Sequence, residues 1–463
     1  MKSIIYITAS ILTIKNSLAA PTNLANAASN YIAVLSHHEK RSWPQIFADM
    51  GYNHNDLTRL PLSAQFSTFG HYSRAFTLTM SPSEKKRLES LPYISYIERN
   101  HEYSPPKPVI HTDIPTNFIQ PQFIRMNTND TDKHAPNVEG LTRRQQQEQQ
   151  VQFTQQKGAP YLLERISNMN KINQNGRGVT DMNYTYTVDE NSGQGVDVYD
   201  LDSGININHV EFEGRAKHLF TVFGQDYEDR FGHGSHTAGT IGSRAYGVAK
   251  NVTIYNCRVL DAQNSGSAAW YSQGLEAALR NHEQRKNETS FKGSVVNMSF
   301  AGENSRYFYD LIQRALNSGM HISASAGNGN SDACTTYPAA WSVDMALISV
   351  GATDINDQRW ESSNYGRCVT LHAPGHYIMS TYNKGPQSSQ YMSGTSMSAP
   401  VVSGLIADLL PRFPEFKLDP MGMKHFLERN GIHDVLGGVS GGNILVNNMY
   451  GRQDVEANKG SNY

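Results

Sequence analysis

The chain has 463 residues, enough for two or three domains and a substantial core. Its 40 lysines and arginines nearly balance 42 aspartates and glutamates, so no charge excess argues for nucleic acid or an anionic membrane surface as a partner. Three cysteines are too few for a disulfide scaffold and leave room for one bridge and one free thiol.

In chain order, Lys2 precedes an apolar run over residues 4–14, and Ser17-Leu18-Ala19 offers small residues where a signal peptidase reads. Residues 1–19 therefore read as a cleaved signal. The run is too short to span a bilayer, so no membrane anchor is expected and the mature chain is placed in the secretory pathway, secreted or vacuolar. Strand-like runs follow at 31–36 (YIAVLS), 74–79 (RAFTLT) and 93–98 (YISYIE). A helix is expected at 42–50, and Ser81-Pro82-Ser83-Glu84 opens another with proline in its first turn. This pattern predicts a small α+β domain of the split βαβ kind over 31–102, with no catalytic group of its own. Residues 103–157 are polar, proline-bearing and glutamine-rich, and read as a solvated linker.

From Gly195 the pattern turns α/β. Strands are expected at 196–201, 252–260, 294–300, 321–326 and 347–352, with amphipathic helices at 268–284 and 306–318 between them. Such alternation predicts a parallel sheet covered on both faces, with functional groups at the carboxyl ends of its strands. Asp202 and Asn328 both stand just past strand ends.

Chemistry is concentrated in four segments. Residues 392–400 (MSGTSMSAP) lead into an apolar helical run over 401–410, placing Ser396 on a first helical turn, where unpaired N–H groups suit a nucleophile whose product is an oxyanion. Serine needs a histidine to take its proton, and that histidine needs an acid to fix its tautomer. Asp202, His233 and Ser396 supply this set. Each has a plainer reading by itself: a cap or cation ligand for Asp202, a packed imidazole for His233, a helix start for 392–400. His236, three residues after His233, is the internal comparison; a zinc pair would need a third ligand that the sequence does not offer. Asn328 ends SASAGN, where a side-chain NH2 is placed to donate to an oxyanion, although asparagine after glycine is also an ordinary turn.

The segments VDVYDLDSGI, GHGSHTAGTIG, VVNMSFAG, SASAGN and GTSMSAPVVSG together resemble the subtilases, most closely the branch of proteinase K and cerevisin. The resemblance implies a three-layer α/β fold with a central parallel sheet over 158–450, a ferredoxin-like inhibitory propeptide over 31–102, and a tail at 451–463. It implies Ser396 as nucleophile, His233 as general base and acid, Asp202 as orienting acid, and Asn328 with the Ser396 N–H as oxyanion hole. Ser299, Phe300, Ala301 and Gly302 correspond to the edge that pairs with extended substrate, and Ser325, Ala326 and Gly327 to the facing wall. The family's Leu-Gly-Gly is here Phe300-Ala301-Gly302, which points to an apolar or aromatic preference. Cys334 and Cys368 resemble a bridged pair of relatives, and Cys257 reads as a buried free thiol. Where proteinase K-like chains have a calcium-binding aspartate this chain has Thr370, so no cofactor is expected to be required, and Asp226 and Asp229 are the remaining cation candidates. Sequons at Asn129, Asn183, Asn251 and Asn287 read as glycosylation sites; Asn297, in a core strand, does not.

These features predict a monomeric serine endopeptidase made as an autoprocessed zymogen, acting on polypeptides and inhibited by its own propeptide. A peptide-holding protein without catalysis, and a processing protease for basic sites, rank behind it. The first would not need all four residues, and the second would need an acidic cluster in the groove.

Overall fold

The computed structural model describes residues 28–58, 66–112, 121–125 and 152–450. The signal segment, Asn129 and the tail from 451 lie outside the described residues. The chain divides into two compact units, one ending at Arg99 and one formed by Gly70–Tyr72 with Asn100 onward.

The first unit is a four-stranded antiparallel sheet in the order Ser67–Phe69, Ala75–Met80, Ser29–Leu35, Ile94–Arg99. Helices Trp43–Asp49 and His54–Thr58 follow the first strand and Pro82–Glu89 precedes the last, giving the order βααββαβ. Inward strand residues Ala33, Leu35, Phe76 and Leu78 form one core with the helix residues Ile46, Phe47 and Leu88. The Ser81 side chain accepts from the Glu84 N–H and Pro82 occupies the first turn, as the sequence signature predicts. Strand Ser67–Phe69 escapes the sequence pattern because it has three residues, none of them fully buried.

The second unit is built on nine strands in the order Ala216–Thr221, Thr253–Arg258, Val196–Asp202, Gly293–Met298, His321–Ser325, Leu347–Thr353, Leu371–Pro374, Ile444–Leu445 and Ile432–His433. All neighbours are parallel except the last pair. Helices Ala268–Arg285 and Arg306–Asn317 pack together, as do His233–Gly242 and Thr395–Leu409. The result is a three-layer α/β architecture.

Every residue of helix Thr395–Leu409 is buried, which is the signature of a helix passing through the core. Pro400 lies inside it and has no N–H to return to the carbonyl four residues back, that of Ser396. The Ser299 hydroxyl fills that vacancy, donating to the Ser396 carbonyl at 3.0 Å. The helix break is thus satisfied by a residue of the neighbouring edge.

The expectation of a solvated linker over 103–157 needs correction at its ends. Glu102–Ser104 and Val109–Ile110 are strands, and Gln122–Arg125 pairs with Phe153–Ala159, which pairs in turn with Tyr184–Asp189. Strand 153–159 reads as polar, yet Gln156 is buried because its Nε2 donates to the Ala245 carbonyl at 2.7 Å. A polar side chain tied through its NH2 to a distant loop defeats a pattern based on hydrophobicity.

Candidate active site

Asp202 ends the strand Val196–Asp202, and His233 opens the helix His233–Gly242. His233 Nδ1 lies 2.8 Å from both Asp202 carboxylate oxygens, with the imidazole fully buried. The carboxylate accepts, so Nδ1 carries the hydrogen and Nε2 is the basic nitrogen. Nε2 is buried and without a hydrogen-bond partner among the described residues. The approach of helix to strand depends on Gly234, where a Cβ would meet the Gly204 carbonyl oxygen at 2.2 Å and the Asp202 Cβ at 3.0 Å. Asp229 ties the two together: its buried carboxylate accepts from the Ser203 hydroxyl (2.9 Å) and the N–H groups of Gly232 (2.7 Å) and Ser235 (2.9 Å). Burial pushes its carboxyl above the usual range.

His236 serves a different purpose. Its Nε2 lies 2.9 Å from the Ile378 carbonyl and 3.1 Å from that of Gln390, and burial lowers its pKa to about 3. It is a neutral packing histidine whose Nε2 is committed to backbone.

Ser396, on the first turn of Thr395–Leu409, is fully buried. Its hydroxyl donates to the Ser299 carbonyl at 3.2 Å. Asn328 is oriented by the same helix: its Oδ1 accepts from the Thr395 N–H (2.9 Å) and the Thr395 hydroxyl (2.7 Å). A backbone N–H can only donate, so the amide cannot be flipped and its NH2 must face away. That NH2 donates to the Pro106 carbonyl at 3.1 Å and, more weakly, to that of Lys107 at 3.4 Å. Gly394 permits this approach; a Cβ there would stand 2.9 Å from Asn328 Nδ2.

The chain's own segment 102–111 runs through this site. Glu102–Ser104 is the middle strand of three, with Ala301 opposite Ser104 and Gly302 opposite Tyr103 on one side, and Gly266 and Ser267 on the other. Ala301 and Gly302, expected to pair with extended substrate, pair here with the chain's own Ser104 and Tyr103. On the other side of the segment lie Gly266 and Ser267; the groups of Ser325, Ala326 and Gly327, expected as the facing wall, are hydrogen-bonded elsewhere. The Ser325 hydroxyl donates to the Phe300 carbonyl, Ala326 N–H to Val350 and Gly327 N–H to the Thr395 hydroxyl. Residues 266–267 carry no cue beforehand, because a two-residue edge strand has no pattern.

Tyr103 is fully buried, with ring centroids of Tyr271, Phe300 and Phe308 at 5.8, 5.9 and 5.7 Å, and its hydroxyl donates to the Glu303 carbonyl. Downstream, Val109 and Ile110 pair with Ser393 and Met392. His111 stacks on Tyr377 at 3.6 Å, and its Nε2 lies 2.7 Å from the Ser393 hydroxyl.

Sequence reasoning also missed Asp200. Its carboxyl accepts from Asn297 Nδ2 and meets the Thr237 hydroxyl, both at 2.8 Å, and Asn297 Nδ2 is 3.0 Å from the Ser299 hydroxyl. Burial, and then the nearby Asp202 charge, raise its pKa well above the carboxylate range. Asp200 thus underpins the polar chain beneath Ser396, but from sequence it is merely the polar interior of a strand.

The remaining expected residues are placed as follows. Cys334 and Cys368 are bridged with their Cα atoms 5.2 Å apart, and Cys257 is a buried thiol whose pKa burial raises. Thr370 Oγ1 accepts from the Ser349 N–H. Asp226 is paired with Arg230 and Arg258, and Asp229 accepts from the Ser203 hydroxyl. Asn183 and Asn287 are exposed; Asn251 is exposed too, with its amide donating to the Glu190 carbonyl at 2.8 Å. Asn297 is fully buried. Among the described residues no helix is long and apolar enough to cross a membrane.

Comparison with known proteins agrees with this geometry. Residues 193–452 match the subtilase family, Peptidase_S8. A subtilisin-like serine protease of Rhodotorula mucilaginosa is 41% identical over 315 residues, covering 65% of this chain and 89% of that protein. Cerevisin of Saccharomyces cerevisiae is 38% identical, covering 66% of this chain but 49% of the relative, so the chain spans about half of that protein. Alkaline protease 2 of Aspergillus fumigatus is 38% identical over 59% of this chain and 55% of its own length. Among solved structures, a cold-adapted subtilisin-like serine proteinase aligns with a TM-score of 0.55 at 34% identity, over 63% of this chain and 98% of its own. The chain belongs to the subtilase family and is a subtilisin-like serine endopeptidase.

Proposed function

We propose that the chain hydrolyses peptide bonds through an acyl-enzyme on Ser396 and is made as a zymogen held by residues 28–111. The observation that carries this reading is the buried His233–Asp202 pair at 2.8 Å, its Nε2 unpartnered, beside an Asn328 NH2 that donates to a carbonyl in the groove. In the reaction the Ser396 hydroxyl turns from the Ser299 carbonyl toward His233 Nε2 and gives up its proton there. Oγ bonds to the substrate carbonyl carbon, and the oxyanion is met by the Asn328 NH2 and the Ser396 N–H. His233 returns the proton to the leaving amine; a water then repeats the sequence to release the acid. Asp202 keeps the hydrogen on Nδ1 and stabilises the imidazolium. Every proton and charge in this scheme is carried by protein groups, so turnover is expected without an added cofactor.

The substrate is an extended polypeptide laid between Ala301–Gly302 and Gly266–Ser267, where backbone bonds supply affinity and pockets supply preference. The aromatic surround of Tyr103 supports an aromatic or large apolar preference three residues before the Pro106 position. The exposed Asn183, Asn251 and Asn287 suit glycosylation in the secretory pathway, ending outside the cell or in a vacuole. Maturation by the Ser396 centre of one copy acting on another, and action as a monomer, complete the proposal. Labelling with a fluorophosphonate after limited digestion should mark wild type at Ser396 and leave Ser396→Ala blank. Equal labelling of the two would overturn Ser396 as nucleophile.

A further inference from the structure

The segment crossing the site reads Tyr103-Ser104-Pro105-Pro106-Lys107-Pro108, with three prolines in the four residues after Ser104. Its register is fixed on both sides: Ser104 lies opposite Ala301, and Val109 opposite Ser393. Continuing the first register sets residue 106 opposite Ser299. Proline there has no N–H to offer the Ser299 carbonyl, and in the structure that carbonyl accepts the Ser396 hydroxyl instead, at 3.2 Å. The nucleophile's proton is thereby directed away from His233 Nε2, which has no partner among the described residues.

Asn328 marks which bonds lie at the site, since its NH2 reaches the carbonyls of Pro106 and Lys107. Cutting after Pro106 would require an acyl residue that cannot donate to Ser299. Cutting after Lys107 would require a tertiary amide as leaving group, with the Pro108 ring carbon where an amide hydrogen would stand. Both bonds are flanked by proline. The segment is also stiff: successive prolines favour the polyproline II form, so little conformational freedom is lost on binding. The buried Tyr103 and Pro105 anchor it on one side, and the His111–Tyr377 stack on the other.

We infer that residues 104–108 form a proline lock, filling the groove in substrate register while offering the Ser396 centre no bond that it cuts. The inference rests on the protease reading above. Removal of the first unit then requires a cut outside residues 104–108, made by another molecule because the chain's own groove is filled.

The test compares full-length wild type, Pro106→Ala/Pro108→Ala, and that double variant carrying Ser396→Ala, with fragment termini read by mass spectrometry. Each protein is also assayed on a fluorogenic peptide after limited digestion by a metalloprotease quenched with chelator. Wild type should show no terminus at Lys107 or at residue 108. The double variant should gain one, at a rate independent of protein concentration, and lose it with Ser396→Ala. A wild-type terminus at 107 or 108 that vanishes with Ser396→Ala overturns the lock. So does a double variant that hydrolyses the peptide after digestion yet stays uncut in this segment. Absence of peptide turnover from every preparation overturns the protease reading, and the lock with it.

Discussion

Asn328 shows how a single side chain acquires a role that its own sequence context does not confer. As the residue after Gly327 it could have been an ordinary turn; Thr395 fixes its amide from a helix start 67 positions away. Asn328→Ala should lower kcat roughly 100- to 1000-fold with KM little changed, the cost of losing one preorganised oxyanion donor. A rise in KM with kcat intact would contradict the role. Asp202→Asn keeps the shape but reverses the hydrogen bond to Nδ1, so it should lower kcat by about 10⁴. Steady-state kinetics after activation, with circular dichroism to confirm folding, decides both.

Among elements, the loops after Asn328 depend on one cross-link and one asparagine. Asn364 Oδ1 accepts from the Gly329 and Ser331 N–H groups, and its Nδ2 donates to the Ala326 carbonyl. The Cys334–Cys368 bridge closes this region over a separation of 34 residues. Replacing both cysteines by serine should lower stability by about 3–4 kcal/mol in the loop-entropy picture. Urea unfolding of wild type and variant would show it, and adding reductant should bring wild type down to the variant's midpoint. Thr370 belongs to the same region: with its hydroxyl taken by the Ser349 N–H, chelation should leave Tm unchanged in a thermal melt.

For the whole molecule, pH acts through groups that burial has displaced. Asp408, on the central helix, is buried with Oδ1 unpartnered among the described residues, and burial raises its pKa to about 6 from 3.8. Between those values the folded state holds more protons than the unfolded chain, so stability falls as pH rises from about 4 to about 6 and is level above. Asp408→Asn lacks this titration. The stability of wild type relative to the variant should therefore fall by about 3 kcal/mol over that window, at about 1.4 kcal/mol per tenfold change in proton affinity. His321 works in the opposite sense. Burial lowers its pKa to about 4, so its contribution is complete above about 6.5 and is lost as pH falls toward 4. Denaturant titrations at stepped pH measure both slopes.

Much of this molecule was legible beforehand, for a physical reason. Asp202, His233, Asn328 and Ser396 stand at strand ends and helix starts, where turn residues, glycines and apolar runs mark the local backbone. Three of the first unit's four strands and its capped helix were legible likewise, because runs of β-branched and aromatic residues mark the strands and Ser81-Pro82 marks the helix start. What sequence could not supply is pairing across distance. The strand at 153–159 is polar and is made into a strand by its neighbours; Gly266–Ser267 is a groove wall only because Tyr103 and Glu102 lie against it. The three prolines could be counted in the sequence, but as part of a linker. Only the register opposite Ser299 and Ser393, a property of two surfaces meeting, sets them at the Ser396 centre.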